Sequence, residues 1–205
     1  MEPGPKPPPP TPSSSFGSSS PIAGPPVSSA RLRALLSGGD RRSIGRVPQV
    51  LRIIRRQPQV AARLVTALRD GDPIVRMRAA DALEKVSVAH PDLLHPHKRE
   101  LLSLAHRATQ QELRWHLAQL IPRLPLTIRQ RRGAATLFQT YLRDRSAIVR
   151  TFAMQALADL ASVDPGLRPR ITALLRRLTS AGTPAMRARG RRLLAGLLGN
   201  RRRHK

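Results

Sequence analysis

The sequence contains no cysteine, which excludes several kinds of chemistry at once. A chain without thiols forms no disulfide, has no thiolate nucleophile and lacks the ligands of cysteine-based zinc or iron–sulfur sites. It also lacks any apolar run near the ~20 residues that a membrane-spanning helix needs. Its longest apolar segment, residues 193–198, is far shorter. We therefore expect a cytoplasmic protein that does not associate with membranes.

Aromatic side chains are also scarce, at 2% of the sequence, with a single Trp and a single Tyr. The core must therefore be built from Leu, Ala, Val and Ile, which suits close contacts between helices. Such packing does not favour a deep apolar cavity. We expect neither a small-molecule pocket nor a cofactor.

Acidic residues are few, and their shortage is strongest at the carboxyl-terminal end. Twelve Asp and Glu stand against 37 Lys and Arg, so the formal net charge is +25. No acid follows Asp164, whereas residues 165–205 contain twelve Lys or Arg. The sequence therefore predicts an electropositive surface at this end.

The composition divides the chain into three parts. Residues 1–30 hold ten Pro, eight Ser and three Gly, which predicts a disordered arm. This arm has one basic residue and no apolar stretch, so it is unlike a secretory signal or an Arg-rich transit peptide. Residues 31–198 are predicted to form one folded domain, and residues 199–205 a basic tail.

The domain repeats itself along the sequence. Residues 70–83 return 74 residues later as residues 144–157, with Asp, Ile, Val, Arg, two Ala and Leu at matching places. An intermediate copy begins at Glu112 and a degenerate fourth copy at Ala185. The arginines that mark the four copies are Arg76, Arg114, Arg150 and Arg187. Their spacings of 38, 36 and 37 residues are typical of helical-pair repeats.

Each marked copy has the apolar spacing of an amphipathic helix. Val75, Ala79, Leu83 and Val86 recur at intervals of three or four residues, which places them on one face. Further amphipathic segments lie between the marked helices, at residues 60–68, 93–105, 134–142 and 167–178. The pattern predicts pairs in which a first helix, A, alternates with a marked helix, B.

Two copies carry a more specific motif. Asp70 with Val75-Arg76, and Asp144 with Val149-Arg150, resemble the turn aspartate and Val-Arg pair of HEAT repeats. The resemblance covers about three quarters of the chain. It implies an all-α fold, a right-handed α-solenoid of about four to five antiparallel helix pairs.

The same resemblance implies a ladder of Asp and Arg side chains that runs along the stack. The ladder residues would be Asp70, Arg76, Arg114, Asp144 and Arg150. The turn aspartate is absent at Ala108 and Ala181. In residues 31–56 only the spacing of Asp40 and Arg46 is kept, so we expect a partial capping repeat there.

A repeat domain of this kind predicts binding rather than catalysis. Our leading hypothesis is a monomeric, non-enzymatic scaffold or adaptor that binds a macromolecular partner, a protein, along its B-helix face. Outward positions on the B helices predict the contact residues, which are Asp81, Trp115, Gln119, Gln155 and Arg192. No catalytic, cofactor-binding or metal-binding residue is assigned, because no nucleophile motif or phosphate-cradling loop is present.

Two alternatives remain open. The first is sequence-independent binding of nucleic acid, in which arginines of the last repeat and the tail contact phosphates. These residues are Arg187, Arg189, Arg191, Arg201, Arg202 and Arg203. The second is an enzyme similar to the HEAT-like glycosylases that remove alkylated DNA bases. That resemblance implies a Trp followed one turn later by an Asp, but Gln119 stands in this place after Trp115.

Overall fold

The computed structural model describes residues 26–40 and 43–199, and this part of the chain is all-α, without a strand. It contains ten α-helices and two 3-10 helices. The α-helices are α1 (Ser29–Leu36), α2 (Val47–Arg56), α3 (Val60–Ala67), α4 (Pro73–Ala89), α5 (Lys98–Arg107), α6 (Gln111–Leu120), α7 (Ile128–Tyr141), α8 (Ala147–Val163), α9 (Arg168–Ala181) and α10 (Pro184–Gly199). The prediction of an all-α fold is confirmed.

Helix α1 begins two residues before the boundary that composition places at residue 31. Ser28 caps it by accepting a hydrogen bond from the backbone of Arg31, and Val27 is buried. The predicted disorder of residues 1–25 lies outside the described residues. The same holds for residues 200–205 of the basic tail.

Local sequence accounts for where the longer helices start. Asp72 accepts the backbone N–H of Ile74 at 2.8 Å, and Pro73 follows it in the first turn, where the N–H that Pro lacks would be unpaired anyway. Thr127 and Gln130 form a reciprocal capping box at the start of α7. Ser146 caps α8, because its hydroxyl oxygen accepts a hydrogen bond from the backbone N–H of Val149. These residues fix the turns that precede α4, α7 and α8.

The helices pack as consecutive pairs. Within each pair an odd-numbered helix contacts the even-numbered helix that follows it, and the even-numbered helices also contact one another in the order α2, α4, α6, α8, α10. Buried apolar side chains from Val27 to Leu197 belong to one continuous core. Neighbouring pairs therefore bury each other's apolar faces, an arrangement compatible with a helical repeat.

Two segments differ in detail from the predicted pattern. The segment predicted as one helix at residues 93–105 starts as a 3-10 helix, Pro91–His97, and becomes α-helical only at Lys98. Pro96 explains this, because its ring and missing N–H disfavour a regular α-helical turn. The segment predicted as a partial capping repeat, residues 31–56, contains most of α1 and all of α2. Pro48 lies in the first turn of α2, where its missing N–H breaks no helical hydrogen bond.

A buried arginine holds the first pair against α4. Arg78 is 2% exposed, and its guanidinium donates to the carbonyls of Leu36, Ser37 and Gly38 at the end of α1. It donates further to carbonyls of the loop that leads to α2. Gly45 in this loop has φ +55°, and a Cβ there would lie 2.6 Å from the Arg78 guanidinium carbon. The loop therefore needs glycine at this position.

Candidate functional site

Two sets of polar contacts join neighbouring helices, one between α4 and the 3-10 helix after α6 and one between α8 and α10. We call the surface that carries them the even-helix face. Arg123, in the 3-10 helix after α6, donates to the Glu84 carboxylate at 2.6 Å and to the Ser87 hydroxyl at 2.8 Å on α4. Between the last two even-numbered helices, Arg189 of α10 donates to the side-chain oxygen of Gln155 on α8 at 2.8 Å. The surface thus extends across α4, α6, α8 and α10.

The predicted contact residues of α4 and α8 are engaged in this network. Asp81 pairs with Lys85 one turn later. Gln155 uses both ends of its amide, since its nitrogen donates to Asp159 at 2.7 Å while its oxygen accepts from Arg189. Such side chains are held in place before any partner arrives.

On α6, Trp115 is half-buried and packs against the core. Its ring centroid lies 5.5 Å from that of His116, with the planes tilted. The Gln119 amide donates to the Trp115 carbonyl at 3.3 Å. On α10, Arg192 is exposed, and its guanidinium contacts no other described side chain.

Burial shifts two titratable groups of this face. It lowers the pKa of His116 to about 4, although the nearby carboxylates of Asp81 and Glu84 act in the opposite direction. Burial also raises the pKa of Asp159, against the hydrogen bond from Gln155 and the charges of two arginines. At neutral pH His116 is therefore uncharged.

The marker arginines connect successive turns. Arg76 donates to the carbonyls of Asp70 at 2.7 Å and Gly71 at 3.1 Å in its own turn, and to the Gln110 side chain in the next turn at 2.8 Å. Arg114 likewise donates to the Ala108 carbonyl at 2.7 Å and forms an ion pair with Asp144.

Arg150 holds only its own turn, donating to the carbonyls of Asp144 at 2.6 Å and Arg145 at 3.0 Å. The Asp144 carboxylate also accepts the backbone N–H of Ser146 at 2.7 Å. Arg76, Arg114 and Arg150 thus each fix the turn before their own helix, and the first two reach the following turn. The guanidinium of the fourth marker arginine, Arg187, forms no such contact.

Sequence reasoning missed one of these connections. The Asp70 carboxylate does not bind Arg76; it accepts hydrogen bonds from Arg33 of α1 at 2.8 and 3.2 Å. These bonds keep the pKa of Asp70 below its usual range, helped by the backbone N–H of Asp72. Arg33 precedes Asp70 by 37 residues, which is one repeat, so the repeat length itself was a signal that could have identified it.

The arginines predicted to contact phosphate fall into two groups. Arg187 and Arg191 are exposed, and their guanidiniums bind no other described residue. Arg189 is half-buried, bonded to Gln155 and placed over the Phe152 ring at 5.6 Å. It therefore belongs to the even-helix face. Arg201, Arg202 and Arg203 lie outside the described residues.

The described part of the chain contains neither a cluster of metal ligands nor a membrane-spanning helix. No three His, Asp or Glu side chains of residues 26–40 and 43–199 approach one another as a metal site requires. None of the helices in these ranges has both the length and the hydropathy of a membrane-spanning segment. No metal ligand is assigned.

Fold and contacts together define an all-α protein of packed helical pairs whose turns are linked by arginines. No protein-family model matches the chain, and no curated protein matches it by sequence. Among solved structures, the chain is similar to an engineered protein in a crystal structure from the Northeast Structural Genomics Consortium, with a TM-score of 0.56 and 18% identity. The likeness covers 83% of this chain and 79% of that one, and it concerns the fold alone.

Proposed function

We propose that the chain is a non-enzymatic HEAT-type α-solenoid scaffold that binds a protein along the even-helix face. The observation that carries the proposal is a pair of cross-helix contacts, Arg123 with Glu84 and Arg189 with Gln155, on even-numbered helices that pack in sequence against one another. The solenoid part of the proposal is supported by the linked turns, since Arg76 and Arg114 each tie two successive turns as the HEAT resemblance implies.

The charge balance of this face favours a protein over a nucleic acid. The side chains paired on this face are three acids and three bases, Asp81, Glu84, Asp159, Lys85, Arg123 and Arg189, and the exposed Arg192 adds one further positive charge. A surface that contacts phosphates would carry a clear excess of bases. A balanced, pre-ordered polar network beside a half-buried Trp is instead suited to a protein interface, where aromatic side chains anchor and paired charges select the partner.

Site-specific photo-crosslinking in lysate of the native host tests this proposal. The photoreactive residue replaces Thr151 or Ala188, each one turn before a predicted contact residue on α8 or α10. Matched controls carry it at the exposed positions Thr136 of α7 and Ala173 of α9. We expect nuclease-resistant protein adducts from the first two positions and far fewer from the controls. Equal adducts from all four positions, or adducts that nuclease removes, would contradict the proposal.

A second candidate function is sequence-independent binding of nucleic acid by α9 and α10. It is favoured by the exposed Arg187, Arg191 and Arg192, which bind no other described residue, and by the absence of acids after Asp164. Removal of residues 199–205, and separately R191A/R192A, should each weaken the affinity for duplex DNA at low salt. An affinity unchanged by both would reject these helices as the binding surface.

A further inference from the structure

A groove of about 750 Å³ runs along the turns that precede α6 and α8, on a part of the surface distinct from the even-helix face. We call it the turn-edge groove. Its charged lining consists of four arginines and two acids: Arg76, Arg114, Arg143, Arg145, Glu112 and Asp144. The arginines come from three successive turns and their helices, so positive charge is distributed along the length of the groove.

The four arginines differ in how they are held. Arg76 and Arg114 are half-buried, and carbonyls and side chains of two turns fix their orientation. Arg143 and Arg145 are exposed, and their guanidiniums bind no other described residue. The groove therefore combines two oriented guanidiniums with two that are available for a ligand.

The acids of the groove cancel only half of this charge. Asp144 is already paired with Arg114 and accepts the Ser146 N–H. Glu112 is only 5% exposed, and its negative charge leaves the six charged groups with a formal net charge of +2. Arg143 and Arg145 flank Asp144 within one short loop, and their exposed guanidiniums form no ion pair with a described acid, so they supply the uncompensated positive charge.

The remaining lining indicates which anion fits. Of the described residues that line the groove, Pro73 is the only apolar one, and none is aromatic. An acidic protein would need apolar or aromatic anchors to bind tightly, because surface ion pairs alone contribute little. A phosphodiester backbone needs none, because it is bound through guanidinium contacts and the release of counterions.

We propose that the turn-edge groove binds the phosphodiester backbone of a nucleic acid. Arg143 and Arg145 contact successive phosphates, and Arg76 supplies oriented positive charge behind them, whereas the charge of Arg114 is offset by Asp144. The proposed contacts are to phosphates, and the Gln110 amide is already bonded to Arg76 and to the Pro73 carbonyl, so we expect binding that is independent of sequence. The proposal does not depend on a protein partner, because the even-helix face shares none of these residues.

Fluorescence anisotropy with a labelled 20-bp duplex tests the proposal on the full chain. The key variant is R143A/R145A, and its control is R55A/R56A, which removes the same charge from exposed arginines of α2 that bind no other described residue. We expect R143A/R145A to weaken binding ~10-fold at 50 mM salt and to lower the salt slope by about 2, as expected for two lost phosphate contacts. The control should change the affinity less than ~2-fold.

Three results would overturn the proposal. The first is an equal loss in R143A/R145A and R55A/R56A, since binding would then follow net charge alone. The second is a loss only in R191A/R192A, which would move the site to α10. The third is displacement of the duplex by poly-glutamate as readily as by unlabelled DNA, which would indicate an acidic protein ligand. A cooperative melting transition in every variant confirms that each is folded, and R143K/R145K should keep most of the salt slope.

Discussion

Arg78 is an example of a charged residue whose role is purely structural. Its guanidinium supplies donors to the last carbonyls of α1, which have no partner within the helix. A lysine could not reproduce all of these bonds, because Nη1 serves these three carbonyls while Nη2 donates to the Asp40 carbonyl and Nε to the Ser43 carbonyl. The first helical pair therefore depends on one side chain of the second pair.

We predict that Arg78→Leu lowers the free energy of unfolding by about 3–5 kcal/mol, because it leaves several buried carbonyls without donors. Urea denaturation measures the loss. The matched control is Arg52→Leu on the exposed side of α2, which should cost less than about 0.5 kcal/mol. Similar losses in both variants would show that the carbonyls find water instead.

His116 makes stability depend on pH. Its folded pKa of about 4 lies below the ordinary value of 6.5, so the unfolded chain binds more protons between these two values. The stabilisation is complete above about pH 6.5 and is lost as the pH falls towards 4. We predict a decrease of at most about 3 kcal/mol over this window, measured by urea denaturation.

The control for this prediction is His116→Gln, which does not titrate. Its unfolding free energy should change little between pH 6.5 and 5, since most carboxylates titrate below that range. A variant that loses stability as steeply as the native chain would show that another group is responsible.

At the scale of elements, the turns before α4, α6 and α8 connect one helical pair to the next. Asp144 is central to this connection, because its carboxylate binds Arg114 of the preceding pair and the backbone of its own turn. The arginine also lies over the Tyr141 ring, 5.3 Å from its centroid. The Tyr141 hydroxyl in turn donates to the Ala105 carbonyl at 2.6 Å. Charge, ring and backbone thus join α5, α6 and α7.

We predict that Asp144→Asn lowers the free energy of unfolding by about 1–2 kcal/mol, because a neutral amide binds the Arg114 guanidinium more weakly than a carboxylate. Hydrogen exchange should become faster in residues 142–146 and in the first turn of α6. Asp92→Asn, at an exposed position without a described partner, should change stability by no more than about 0.5 kcal/mol. Unchanged exchange at the turn would contradict the proposed connection.

At the scale of the whole molecule, several of the few acids form ion pairs with arginines of the same fold. Ion pairs with arginine occupy Asp70, Glu84, Glu100 and Asp144, and Asp164 lies within 4.0 Å of Arg131 and Arg132. Most arginines of residues 26–40 and 43–199 are therefore exposed without an acidic partner, which leaves a strongly positive surface on this part of the chain.

We predict that the melting temperature rises as sodium chloride increases from about 10 to about 200 mM. Salt at these concentrations screens the repulsion among exposed arginines, which act over longer distances than the close ion pairs. The charge-reduced variant R55A/R56A should show a smaller rise. A melting temperature that falls with salt would mean that the ion pairs outweigh the repulsion.

The repeat in the sequence determined the helical pairs and the places of Arg76, Arg114 and Arg150, because helix periodicity and capping are local properties of the chain. It also determined the charge of the surface. Only the tertiary structure decided which charged side chains are engaged in contacts within the fold. Arg33 reaches Asp70, Arg78 reaches the end of α1, and Arg189 reaches Gln155, each across at least 34 residues. Such contacts depend on how neighbouring pairs stack, and a periodic pattern does not specify distances between side chains. The stacking engages Arg189 in the even-helix face and leaves Arg143 and Arg145 available to a ligand.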